Sequence, residues 1–270
     1  VKRAAHGTRM LDFDEQRRAY ARTIVDLAEP RWHFLNTLFS LSETCAYAQL
    51  VDALDTGALA GPRNYADLHA AVRGALDEAH MEGELKAAIL ADPHHFVEHD
   101  AGTAQTLVDQ KDAGRKLMLV TNSEWDFTRP MMEHAIEPHL PSGMRWRELF
   151  DVVIVAAQKP KFFVDTPPLF EVVEDSGLLK PCGALSPGKV YYGGNASHVE
   201  RFLGLDGGEI LYVGDHIYSD VRVSKGVRRW RTAVIVREIE SEVAAASALA
   251  PTAQKLARLM GDKQQAERRL

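Results

Sequence analysis

The residues whose types and spacing could do chemistry lie just beyond apolar runs of this 270-residue chain. Gly214-Asp215-His216-Ile217-Tyr218-Ser219-Asp220 follows the apolar run 210–213. Two carboxylates on one loop suit a hard divalent cation. One binds it, and the other orients that ligand or a coordinated water. Gly214 permits a tight turn. The same residues also fit a simpler role, with Asp215 opening a turn and Asp220 capping the next helix. Thr121-Asn122-Ser123 ends the run 116–120. A hydroxyl there, followed by backbone N–H groups at a helix start, makes a cradle for phosphate oxygens. An ordinary helix cap by Asn122 or Ser123 uses the same residues. Lys159, in Gln158-Lys159-Pro160-Lys161-Phe162-Phe163, follows the run 152–156. A lysine so placed can neutralise phosphate and the charge that develops on it during transfer. A solvated surface lysine has the same local sequence.

What positions these residues is a series of short apolar runs, at 116–120, 152–156, 190–192, 209–213 and 232–236. Near-continuous runs of this length are expected for buried parallel strands. Helical patterns lie between several of them. The alternation predicts an α/β fold, with a Rossmann-like, mostly parallel sheet and flanking helices. Ligands of such sheets bind beyond the carboxyl ends of the strands. Thr121, Asn122, Ser123, Lys159, Asp215 and Asp220 all fall at such ends. Before residue 100 the patterns are helical, at 14–29, 43–54 and 65–80, and a longer one runs over 94–112. The expected organisation is therefore a mainly helical region 1–100, an α/β core 101–248 and a C-terminal helix or tail 249–270.

Composition narrows the classes. An apolar fraction of 46% and a charged fraction of 26% are those of a globular protein. No apolar run is long enough for a transmembrane helix, and Val1-Lys2-Arg3-Ala4-Ala5-His6 has no signal-peptide core. The first residue is Val, which points to processing or to a piece of a longer chain. A net charge of −6 argues against non-specific nucleic-acid binding. Cys45 and Cys182 form no CxxC or zinc spacing, so free, buried thiols in a reducing cytoplasm are expected.

The order of a strand-end Thr, a strand-end Lys and a strand-end Asp with a second Asp is similar to motifs two, three and four of the haloacid dehalogenase-like superfamily. The local wording resembles the purine cytosolic 5′-nucleotidases within it. Trp32-His33-Phe34-Leu35-Asn36-Thr37-Leu38-Phe39-Ser40-Leu41-Ser42-Glu43-Thr44 and Leu50-Val51-Asp52 carry that likeness. So do Ala5-His6-Gly7, Lys159-Pro160-Lys161-Phe162-Phe163, Tyr192-Gly193-Gly194, Tyr212 through Asp220, and Trp230-Arg231-Thr232. The resemblance covers most of the chain. It implies a haloacid dehalogenase-like core with a mainly helical cap, Mg²⁺, and removal of phosphate from purine nucleoside monophosphates such as IMP or GMP. It also implies an aspartyl-phosphate intermediate, which splits one difficult displacement into two easier ones. By this likeness Asp215 and Asp220 form the metal site, with Asp220 in support. Thr121 holds phosphate oxygens, with Asn122 and Ser123 nearby. Lys159 stabilises the nucleophile and the transferring group, so Lys159, Thr121 and Asp220 are the catalytic candidates. Relatives of this kind are often homo-oligomers.

The likeness has departures. The superfamily's nucleophile lies in a strand followed by Asp-x-Asp-x-Thr, and no such run follows an apolar strand here. Asp12-Phe13-Asp14 lacks the Thr, so Asp12 and Asp14 read as helix-start acids. The family places that motif upstream of its Ala-His-Gly segment, so it is expected before Val1. The chain alone is then expected to be inactive. The alternative is a truncated paralogue that binds nucleotide or serves as an interaction subunit. Thr8-Arg9 replaces the Phe-Asn of animal purine-specific members, leaving base preference open, with Arg9 either a contact to base or phosphate or, the preferred reading, a surface residue. His69, Arg73, His80 and Lys86 in the cap region could face a ligand or solvent.

Overall fold

A computed structural model describes residues 3–26, 29, 31–33, 35, 40–61, 64–81, 83–173 and 177–268. Contacts group the chain into two units, Val1–Ala48 with Ile235–Leu270, and Gln49–Val234. In the first unit, strand β1 (Ala5–His6) pairs antiparallel with β2 (Arg9–Met10). Helix α1 (Phe13–Tyr20) follows. Its start is a capping box: Asp12 accepts from the Glu15 N–H at 2.8 Å, and Glu15 accepts from the Asp12 N–H at 3.0 Å. Asp12 is thus a helix cap, and Arg9 pairs with Glu15 at the surface, 2.8 Å away. The helix ends at Tyr20, well short of the expected 14–29, and Pro30 lies outside the described residues. So do Phe34 and residues 36–39 of the 32–44 stretch. Helix α2 (Leu41–Asp55) comes next.

The boundary between the units falls within α2, at Gln49, and the second unit continues with helices α3 (Tyr65–Met81), α4 (Glu84–Ala91), α5 (Pro93–Phe96) and α6 (Ala101–Asp112). The single helix expected over 94–112 is broken. Asp100 accepts from the Gly102 N–H at 2.9 Å and from the Thr103 hydroxyl at 2.6 Å, which starts a new helix and leaves Val97 extended. Then come β3 (Met118–Val120), α7 (Trp125–Ala135), β4 (Val152–Val155) and α8 (Lys161–Val164). They are followed by β5 (Leu169–Val172), β6 (Leu179–Cys182), β7 (Lys189–Gly193) and α9 (Ala196–Leu203). The unit closes with β8 (Leu211–Gly214), α10 (Val223–Arg228) and β9 (Arg231–Val234).

The α/β class is borne out, but the sheet is mixed and divided. Five strands run in the order β3-β4-β7-β5-β6, and β8 pairs with β9 separately. The pairs β3–β4, β4–β7 and β8–β9 are parallel, whereas β5 is antiparallel to both its neighbours. The hairpin of β5 and β6 was not expected. Pro181 and Lys180 disguise β6, and a sheet tolerates proline there because β6 is an edge strand. Among the described residues β3 and β8 each pair on one side only.

Strand β4 is buried at every position, and its alternating side chains build two cores. Val152 and Ile154 join Phe162, Phe163, Tyr191 and Trp230. Val153 and Val155 join Trp125, Trp146, Leu149 and Val190. Each large apolar side chain so buried contributes about 1.5–3 kcal/mol. That two-faced burial is why 152–156 reads as an unbroken apolar run.

Helix α11 (Glu240–Glu267) belongs to the first unit and buries no residue. Among the described residues no helix is long and apolar enough to cross a membrane. Both cysteines are free. Cys182 is half-buried, but Cys45 stands exposed on α2, against the expectation of two buried thiols.

Candidate functional site

The loops after β3 and β4 are zipped together past the last strand pair. The Thr121 N–H donates to the Ile154 carbonyl at 2.9 Å, and the Ala157 N–H to the Thr121 carbonyl at 2.9 Å. The Ala156 N–H reaches the Ser123 carbonyl at 2.8 Å. Thr121 Oγ1 accepts from the Ser123 N–H at 3.1 Å, a local turn that leaves the hydroxyl proton free for an incoming acceptor. Asn122 spends both ends of its amide on Lys159. Its Oδ1 accepts from the Lys159 N–H at 2.6 Å, and its Nδ2 donates to the Lys159 carbonyl at 3.1 Å. Asn122 therefore positions Lys159. Ala156 and Gln158 hold left-handed backbone angles, φ 47° and 57°, which turn the chain sharply between β4 and Lys159.

The lysine side chain then reaches β8. Its Nζ lies 2.9 Å from the Tyr212 hydroxyl and 3.0 Å from Asp220 Oδ1. The Lys159 side chain is 14% exposed and that of Asp220 is 3% exposed, so the ion pair is nearly dry. The Tyr212 hydroxyl stands 3.4 Å from Asp220 Oδ1, and Asp220 Oδ2 accepts from the His216 N–H at 3.2 Å. Both carboxylate oxygens are thus engaged, as burial of a charge requires. Burial raises the Tyr212 pKa, followed by the charge of Asp220, its hydrogen bond, and the charge of Asp215. Tyr212 accordingly stays a neutral phenol.

Sequence explains how Asp220 arrives there. Residues Ile217–Arg222 form a π-helical turn, an arrangement common at functional sites. The Ser224 hydroxyl donates to the Asp220 carbonyl. Gly214 is needed for closeness: a Cβ on it would sit 2.5 Å from Asp220 Oδ2. The loop of Lys159 is anchored by Phe162 and Phe163, both fully buried. Phe163 meets Tyr212 and Trp230 edge-on, with ring centroids 5.3 and 5.7 Å apart. Arg228 donates to the Phe163 carbonyl at 2.7 Å and to the Ser197 hydroxyl at 3.0 Å.

Two groups of expected residues are therefore assembled. Thr121, Asn122, Ser123 and Lys159 share one loop pair, and Lys159 and Asp220 share one ion pair. Asp215 is exposed at the end of β8, a carboxylate of the kind that binds a hard cation such as Mg²⁺. Asp220 is committed to Lys159 and His216, so it suits support of that ligand better than direct coordination. Sequence reasoning missed Tyr212 as a site residue. Its signal was a polar-tipped aromatic alternating with Leu211 and Val213 along β8. Of the residues expected in a cap, Lys86 pairs with Glu124 at 2.6 Å, and Arg73 with Asp77 at 3.5 Å. The His80 side chain lies outside the described residues.

Comparison with known proteins identifies the family. The sequence profile of the 5′ nucleotidase family matches residues 1–270. The chain is similar to the human protein named 5′-nucleotidase domain-containing protein 2, at 33% identity over 208 residues. That match covers 76% of this chain and 38% of the human protein, so the chain spans well under half the length of that relative. The chain belongs to the 5′-nucleotidase family.

Proposed function

We propose that this chain forms the haloacid dehalogenase-like core and cap of a Mg²⁺-dependent 5′-nucleotidase that releases phosphate from purine nucleoside monophosphates. The observation that carries the reading is the buried Lys159–Asp220 pair, tied through Asn122 to the Thr121 loop. Lysine has three donors. Two are directed to Tyr212 and Asp220, and the third remains for an anionic oxygen. Held this way, Lys159 needs little reorganisation to meet the charge that develops on a transferring phosphoryl group. The Thr121 hydroxyl donates to a second phosphate oxygen, and Ser123 shapes the turn that presents it. Asp215 is the residue that would hold Mg²⁺, whose charge would neutralise the phosphate.

The nucleophile of this mechanism is an aspartate in an Asp-x-Asp-x-Thr run that these 270 residues do not contain. The pairing of β3 and β8 on one side only, among the described residues, is compatible with that reading, since a strand carrying that run would find partners there. Phosphate positioning without the nucleophile gives no acyl phosphate, so the chain by itself is expected to hydrolyse little or nothing. Phosphate release from IMP, GMP and AMP with Mg²⁺ tests this, comparing the chain with a longer form that includes an Asp-x-Asp-x-Thr segment. Activity in the longer form alone is the expected result. Nucleotide binding with no turnover in either form would favour a binding or interaction subunit instead.

A further inference from the structure

A second cluster of chemistry-bearing side chains shares no residue with the motifs above. His94 lies on α5, His99 on the connector to α6, His134 in the last turn of α7, and His139 in the short turn after it, Glu137–His139. One ring nitrogen each from His94, His99 and His134 falls within 4.8 Å of the other two. The His134 ring stands edge-on to both others, with centroids 4.5 Å away in each case. His134 Nε2 is buried and has no hydrogen-bond partner among the described residues. His99 Nδ1 lies 3.1 Å from His139 Nε2.

The backbone break after α5 makes this meeting possible. In one continuous helix over 94–112, residues five apart would point roughly 140° away from each other. Asp100 starts a new helix, and the extended residues before it let His99 turn back beside His94. A buried ring nitrogen without a partner is costly, and native proteins rarely leave one without cause. A metal ion would satisfy it. The hydrogen bond through Nδ1 leaves Nε2 of His99 to coordinate. Its partner fixes the ring as metal-binding histidines are usually fixed.

We propose that His94, His99 and His134 bind a borderline divalent transition metal of the Zn²⁺ class, with His139 as the positioning residue for His99. The all-nitrogen donor set suits Zn²⁺, Ni²⁺ or Cu²⁺ and is wrong for Mg²⁺ or Ca²⁺, which take oxygen. Three histidines plus an open position for water is an arrangement that zinc adopts. Ligands on a tetrahedral zinc lie roughly 3.4 Å apart, given bonds of about 2.0–2.1 Å. The exposed His94 ring closes the remaining gap by side-chain rotation.

The test uses the whole chain without a histidine tag, titrated with Zn²⁺ alone by calorimetry, and with Co²⁺ followed by visible absorption. One equivalent is expected to bind, with Co²⁺ giving the strong bands of a low-coordinate site and excess Mg²⁺ failing to compete. His94→Gln, a change at an exposed position, should weaken Zn²⁺ at least about tenfold, as should His134→Gln. His139→Gln should weaken it by about 10–100-fold while one equivalent still binds. His95→Gln is the control, because that ring packs on Phe96 outside the cluster. Absence of saturable binding, or unchanged affinity in His94→Gln, would overturn the proposal. Neither readout depends on nucleotidase activity.

Discussion

The two sheets of the Gln49–Val234 unit are built from similar apolar runs and end in different environments. Strand β4 is covered on both faces and buried at all positions. Strand β8 buries only one face. Tyr212 packs inward on Phe163 and Trp230, whereas Leu211 and Val213 are 60% and 52% exposed. The candidate site joins the two, with Lys159 from the end of β4 and Asp220 from the loop after β8. Regular hydrogen bonding thus ends at the sheet boundary, and an ion pair with an aromatic cluster carries the connection across it. Residues placed at such a junction tie the candidate site to stability.

The sharpest way to break the junction is Asp220→Ala. It leaves Lys159 nearly buried without its partner, at a cost of about 3–5 kcal/mol, read as a lower midpoint in chemical denaturation. Ile154→Ala on the covered sheet empties a fully buried site and should cost about 2–5 kcal/mol in the same assay. Tyr212→Phe keeps the ring packing and removes only the hydroxyl between Lys159 and Asp220, so a loss of about 0.5–1.5 kcal/mol is expected. Val213→Thr on the open face should stay within about 0.5 kcal/mol of the parent. Should Val213→Thr prove as costly as Ile154→Ala, the contrast between the sheets would fail.

What sequence revealed follows the same division. The runs 152–156 and 209–213 were legible because a strand's apolar pattern survives even where one face stays open. The β5–β6 hairpin was not legible, because Pro181 and Lys180 are tolerated only by the edge position that the finished sheet supplies. The break within 94–112 was missed because helical spacing outweighed one capping aspartate, Asp100. At the site, Lys159, Thr121 and the two aspartates were readable from residue type and strand-end placement. The clamp of Asn122 on the Lys159 backbone was not, since it joins loops 37 positions apart. Gly214 was singled out for its turn, but its cause is the approach of Asp220.

The most direct test of the account is phosphate release from IMP with Mg²⁺ by the longer form carrying the Asp-x-Asp-x-Thr segment, measured beside its Lys159→Met variant. If Lys159 is the preorganised cation of a nucleotidase, kcat should fall by about 100-fold or more while the variant still binds nucleotide. Turnover at the parent rate by a folded Lys159→Met protein would contradict the assignment of this junction as the catalytic site.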